Sequence, residues 1–244
     1  PARPFAPAEP TTEILSSEDR GRTGWIVGVS LLVLVLVVGV GMVVGRSGGG
    51  AAPVATPSSS APAPPAGPSF PEGTVRIIDH AAGISYPFLG EGWYEYALFP
   101  QEEVTSIAGQ FFTTQEVTPD NSVFIAQCTS GPLAEGYGWG GAPTLAATTA
   151  AVADSVRDNY YPGPNERRVL RDEARTVDGR AAHLYEFQLS WDVAGYDATG
   201  ERAALLLIDV GRPAPALLYV SIPNTHAELY SVIDRLLQSV DVLE

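Results

Sequence analysis

Lysine is absent from this 244-residue chain, and all 14 basic residues are arginine. Against them stand 28 acids, for a net charge of -14. Residues 71–244 hold 24 acids and 10 Arg, while the first 70 residues balance four against four. So acidic a surface argues against nucleic acid or anionic lipid as partners. Cysteine is nearly absent too. With Cys128 alone, no internal disulfide can form, and the fold must rest on its core. Histidine is scarce: His80, His183 and His226 lie in no HExxH and at no ligand spacing, so no metal or cofactor is expected. There is no G-x-S-x-G, no Walker A and no G-x-G-x-x-G in a strand–helix context. Catalytic residues are therefore not expected.

What the chain does have is a long apolar run. Trp25 to Val44 are twenty consecutive residues without a charge. As a helix they span about 30 Å, the thickness of a bilayer's hydrocarbon core. Four regions are expected: a disordered cytoplasmic tail (1–24), a transmembrane helix (25–45), a Pro/Ala/Ser/Gly-rich stalk (46–72) and an exported domain (73–244). Arg20 and Arg22 precede the span and Arg46 follows it. The positive-inside rule puts the N-terminus in the cytoplasm, in a single-pass plasma-membrane protein. The stalk, with its exported-spacer composition, agrees. A cleaved signal peptide is the competing reading, but its apolar region would be about 7–15 residues long. No Cys lies near the end of the span to carry a lipid. Gly41 and Gly45 form a GxxxG, a candidate for helix packing in the membrane.

The tail has four Pro in its first ten residues and no helical period. Thr11 with Ile14, and Thr12 with Leu15, have the spacing of a phosphothreonine ligand of forkhead-associated domains. Thr11 and Thr12 are the candidate phosphorylation sites, for a phospho-dependent partner of the tail.

Residues 73–244 read as α+β, a mostly antiparallel sheet packed by amphipathic helices. Strand signals lie at 74–80, 83–88, 90–96, 110–114 and 122–129. A helix follows, with Leu145, Thr149, Val152, Val156 and Tyr160 on one face, Thr144 as N-cap and Pro162 and Pro164 beyond its end. Residues 168–177 lead to a hairpin turn at Asp178-Gly179. In 180–191, His183, Tyr185, Phe187, Leu189 and Trp191 share a face. Residues 204–210 read as a central strand buried on both sides, and 217–222 as its return. The last helix is expected to start at a Thr225/Glu228 capping box, with Leu229, Val232, Ile233, Leu236, Leu237 and Val240 in one stripe.

The phrases "GISYPF…GW" and "VDGRAAHLYEFQL", in this order of elements, resemble the Mog1/PsbP-like α/β/α sandwich. They resemble in particular its actinobacterial membrane-anchored and lipoprotein members. The likeness covers about 75–244. It implies a non-enzymatic accessory or binding subunit and carries over no catalytic residue. The anchor departs from the lipoprotein members, being a helix where they have a lipidated Cys. The Arg-only, Ala/Gly/Pro-rich composition agrees with a high-GC genome.

Aromatics on loops are the candidate interaction residues: Tyr137 and Trp139 between glycines, and Tyr160 and Tyr161 at a helix end. Core packing is the competing use of the same side chains. The leading expectation is a membrane-anchored, non-catalytic accessory protein docked on other membrane proteins of the envelope. The alternative is an extracytoplasmic binding module for a small hydrophobic or cell-wall ligand. A concave pocket with a few polar groups would favour that alternative.

Overall fold

The apolar runs become two antiparallel sheets in the computed structural model, which describes residues 69–244. The expected tail, the span with Gly41 and Gly45, the phosphorylation candidates Thr11 and Thr12, and the stalk as far as residue 68 lie outside the described residues. Among the described residues no helix is long and apolar enough to cross a membrane.

In chain order the elements are β1 (Arg76–Asp79), β2 (Ile84–Pro87), β3 (Tyr94–Glu95), β4 (Ala108–Gln115) and β5 (Phe124–Pro132), then α1 (Leu145–Tyr160). Next come β6 (Asn165–Val177), β7 (Arg180–Trp191), β8 (Gly200–Ile208) and β9 (Ala216–Pro223), then α2 (Tyr230–Gln238) and β10 (Asp241–Val242). The large sheet has the order β3-β4-β5-β9-β8-β7-β6, the small one β1-β2-β10. Every pairing is antiparallel. The class is α+β, as the order of periods in the sequence implies.

Both faces of the large sheet are buried at its centre. Along β8, Ala203, Leu205 and Leu207 face a core completed by Leu145, Val152, Ala153 and Val156 of α1. Ala204, Leu206 and Ile208 face a second core with Ile84 and Tyr86 of the small sheet and Ile233 and Leu236 of α2. Two-sided burial is why this strand is a continuous apolar run. Each fully buried Leu or Ile contributes about 1.5–3 kcal/mol of transfer free energy. The hairpin between β6 and β7 turns at Asp178 and Gly179, both at positive φ (47° and 76°), as a primed two-residue turn requires. The edge strand β6 carries Glu166, Arg167, Arg168, Arg171, Asp172, Glu173 and Arg175 and is bulged between Val169 and Arg171. Charge and bulge both discourage another chain from adding to that edge.

One buried charge ties the layers together. Glu186 on β7 is fully buried and pairs with Arg171 on β6 and Arg202 on β8. Arg171 reaches on to Asp234 of α2 at 2.7 Å.

Local chemistry departs from expectation at three places. Thr144 stands at the start of α1 but caps nothing. Its hydroxyl accepts from Gly140 N and donates to Gly141 O, each at 2.9 Å, and so serves the preceding glycine turn. The Thr225/Glu228 capping box does not form. Residues Asn224–Leu229 are a 3-10 turn kinked at His226, and the Thr225 hydroxyl bonds the His226 ring at 3.0 Å. The α-helix therefore starts only at Tyr230 and ends before Val240, which still packs in the α2-side core. The segment 90–96 yields only the two-residue β3, because Gly90 and Gly92 sit at positive φ and break the strand.

Candidate functional site

Helix α1 does not cover the whole of its sheet face. Past its last turn lies a cavity of about 300 Å³, bounded by the helix end, β5, β8 and β9. The sheet residues beneath it follow from period two. Leu205, Ala203 and Glu201 lie on one face of β8, and Tyr219 and Ser221 on the same face of β9. Gln127 on β5 sits opposite Ser221. The apolar face under α1 thus becomes polar where the helix stops.

These polar groups form a chain of donors. Ser221 donates its hydroxyl to Glu201 Oε1. Tyr161 Oη donates to Ser221 Oγ at 3.2 Å. That leaves Tyr219 as donor in the bond between the Tyr219 and Tyr161 hydroxyls. The chain ends on Glu201, whose second oxygen, Oε2, is buried without a partner. Glu201 is 1% exposed. Burial pushes its carboxyl well above the ordinary range, against the smaller opposing pull of the Ser221 bond. Burial likewise raises Tyr161 and Tyr219, with neighbouring negative charge adding to it. Gln127 is anchored by Gln101 Nε2 at 2.9 Å, and Gln101 accepts from Thr129 Oγ1 at 3.0 Å.

Around this floor the lining is aromatic: Phe99, Phe124, Tyr160, Tyr161, Tyr196 and Tyr219. Asp120 stands at the mouth, in a turn where the Thr118 hydroxyl bonds it. No Arg or His lines the cavity.

Of the sequence candidates, Tyr137 and Tyr160 are brought to one place. Tyr160 donates to Glu103 Oε2 at 2.7 Å and accepts from Glu102 N at 2.9 Å. Ser155 donates to the other Glu103 oxygen, and Tyr137 meets Ser155 at 3.1 Å. These bonds pin the loop before β4 to α1. Trp139 is half-buried and donates its ring N–H to Pro213 O at 3.0 Å. Tyr161 is a correction: it is 9% exposed and part of the buried donor chain, since the backbone turns it inward as α1 ends. His183 is satisfied by Asp172 at 2.7 Å. Cys128 is buried in the α2-side core, and burial raises its thiol's pKa. Among the described residues no three or more His, Cys, Asp or Glu side chains converge to hold a metal ion.

Glu201 escapes a reading by apolar runs because it sits at the start of β8, ahead of the apolar stretch, whereas Ser221 lies inside the run read as a strand, a lone hydroxyl among apolar neighbours. Counting in twos from Leu205 and Leu217 places them on the inward face.

No family model and no curated protein matches the chain. Among solved structures, it is similar to the solution structure of cyanobacterial PsbP (CyanoP) from Synechocystis sp. PCC 6803. The identity is 13% and the TM-score 0.43, over 72% of this chain and 98% of that one. It is also similar to PA94 from Pseudomonas aeruginosa, at 15% identity and a TM-score of 0.32, over 59% of this chain and 94% of that one.

Proposed function

We propose that residues 73–244 are the extracytoplasmic, non-catalytic binding module of a single-pass membrane protein, held by residues 25–45 with the N-terminus in the cytoplasm. The observation that supports a small-molecule site is that Glu201, which lines the cavity, holds a buried carboxyl oxygen without a partner. Buried polar side-chain atoms are in the large majority hydrogen-bonded, and a ligand atom supplies the missing partner. To test it, the full-length protein is extracted from its native membrane in mild detergent and its bound small molecules are released by denaturation. Mass spectrometry should find one compound in stoichiometric amount, lost in a variant with the cavity blocked by Ser221→Trp. A preparation that carries nothing, and that no fragment library binds, would sink the reading.

A second reading, docking on membrane proteins of the envelope as an accessory subunit, has its own support. Val75 and Ile78 are 71% and 54% exposed and line a groove of about 420 Å³ shared with β3 and β4. Tyr94 on β3 is 65% exposed. Exposed apolar patches of this kind serve interfaces. Photocrosslinkers placed at Ile78 and Tyr94 in the membrane-bound protein should join one defined envelope protein. Crosslinks scattered over many proteins at background level count against docking. In either reading, phosphorylation of Thr11 or Thr12 would couple the tail to a cytoplasmic partner.

A further inference from the structure

We propose that the cavity beyond α1 takes a small organic ammonium cation, with Glu201 as its counter-charge; this rests on reading the domain as a small-molecule binding module. Four observations converge on that class.

The first is the charge of the lining. It includes two carboxyl groups, Glu201 at the floor and Asp120 at the mouth, and no cationic side chain. An anion would find no cation in the lining to pair with.

The second is the free oxygen. Glu201 Oε1 already accepts from Ser221, while Oε2 has no partner and the residue is 1% exposed. An ammonium group supplies both a hydrogen bond and the missing charge. In the empty cavity burial favours the protonated acid. Binding then follows a balanced exchange: the O–H bond of the acid breaks, its proton leaves to the buffer, and the carboxylate pairs with the incoming cation. The pair formed at Glu201 is neutral, as the acid was before it.

The third is the aromatic wall. Six rings line a space of about 300 Å³, and rings attract cations through their faces. The volume is at the small end of ligand sites and suits a compact ammonium compound.

The fourth is position. The cavity lies at the C-terminal end of a 16-residue helix, where the backbone dipole is negative. The domain's excess of acids raises the local concentration of cations before they enter.

The test is titration calorimetry on the full-length protein in neutral detergent with three probes of nearly one shape. These are 3,3-dimethylbutylammonium, its uncharged analogue 3,3-dimethylbutan-1-ol, and the anion 3,3-dimethylbutanoate; benzylammonium and benzyl alcohol form a second matched pair. The cations should bind at least about tenfold more tightly than their neutral partners. Repeating the titration in two buffers of unlike ionisation enthalpy should show proton release approaching one per site. Glu201→Gln should abolish both the preference for charge and the proton release. Tyr196→Ala leaves the buried donor chain intact and should weaken cation binding about threefold or more. Neutral probes binding as well as cations, or an intact preference in Glu201→Gln, would overturn the cation assignment and leave the binding module standing. If no probe of any charge binds, the cation assignment falls, and the binding module stands or falls by the search for a co-purified compound.

Discussion

Ser221 and Glu201 share one hydrogen bond across neighbouring strands, and the carboxyl is left with one satisfied oxygen and one bare one. The pair makes stability depend on pH in a direction opposite to most carboxylates. Folding raises the Glu201 pKa above its ordinary value of 4.5. The folded state therefore holds a proton that the unfolded chain gives up. The associated stability is fully present below the unfolded pKa and is lost as pH rises toward the folded value. The limiting slope from this one group is about -1.4 kcal/mol per pH unit. Glu201→Gln removes the titration, so urea unfolding of both proteins from pH 4.5 to 8 should show the variant gaining on the wild type as pH rises. Parallel pH profiles would contradict the burial assigned to Glu201.

Glu186 is expected to be the most costly charge to remove. It is buried between Arg171 and Arg202. Glu186→Ala leaves two partly buried guanidiniums facing each other and should cost about 3–5 kcal/mol. Urea midpoints measure this. Glu186→Leu combined with Arg202→Met, which removes charge on both sides, should recover part of the loss.

How far the sequence revealed these sites differs between them. Elements whose partner is generic, such as β7 with its alternating Tyr185, Phe187 and Leu189, show in pattern alone. So do the Asp178-Gly179 turn and the apolar stripe of α2, because period and turn chemistry are local. The caps failed for the opposite reason. Thr144 and Thr225 have the right identity, but Gly140, Gly141 and the His226 ring compete for their hydroxyls, and that competition exists only in three dimensions. The cavity was invisible because it is made where a helix is too short for its sheet. No residue at Glu201 announces where α1, forty positions earlier in the chain, stops.

Tyr160→Phe should loosen one loop more than it destabilises the domain. The hydroxyl holds both the Glu103 side chain and the Glu102 amide, while Ser155 still reaches Glu103 without it. A cost of about 1–2 kcal/mol is expected. Hydrogen exchange should show the Glu102 amide speeding up while amides of β8 and β9 stay protected. Uniform loss of protection would mean that the bond serves the whole fold.

Cys128 should be silent toward thiol reagents in the native protein. It is 0% exposed, and burial holds the thiol protonated. Labelling is expected only at the rate of unfolding, with full reaction in denaturant. Fast labelling of folded protein would show that the α2-side core opens locally.

The order of strands also decides how the chain comes together in time. β6, β7, β8 and β9 are consecutive neighbours, so each finds its partner across a short link. β5 instead lies against β9, with Cys128 opposite Val220. Closing that ladder means closing a long loop, and its entropic cost falls before any reward arrives. On a ribosome, β5 emerges well ahead of its mate and waits with one open edge. A nascent chain halted at Pro215 should therefore show rapid exchange of the Thr129 and Gly131 amides, which lie on the β9 side of β5 as Leu133 does, and completion of β9 should protect them in a single step. Whatever guards this protein against aggregation during synthesis has that interval to cover, and the edge to be shielded is β5.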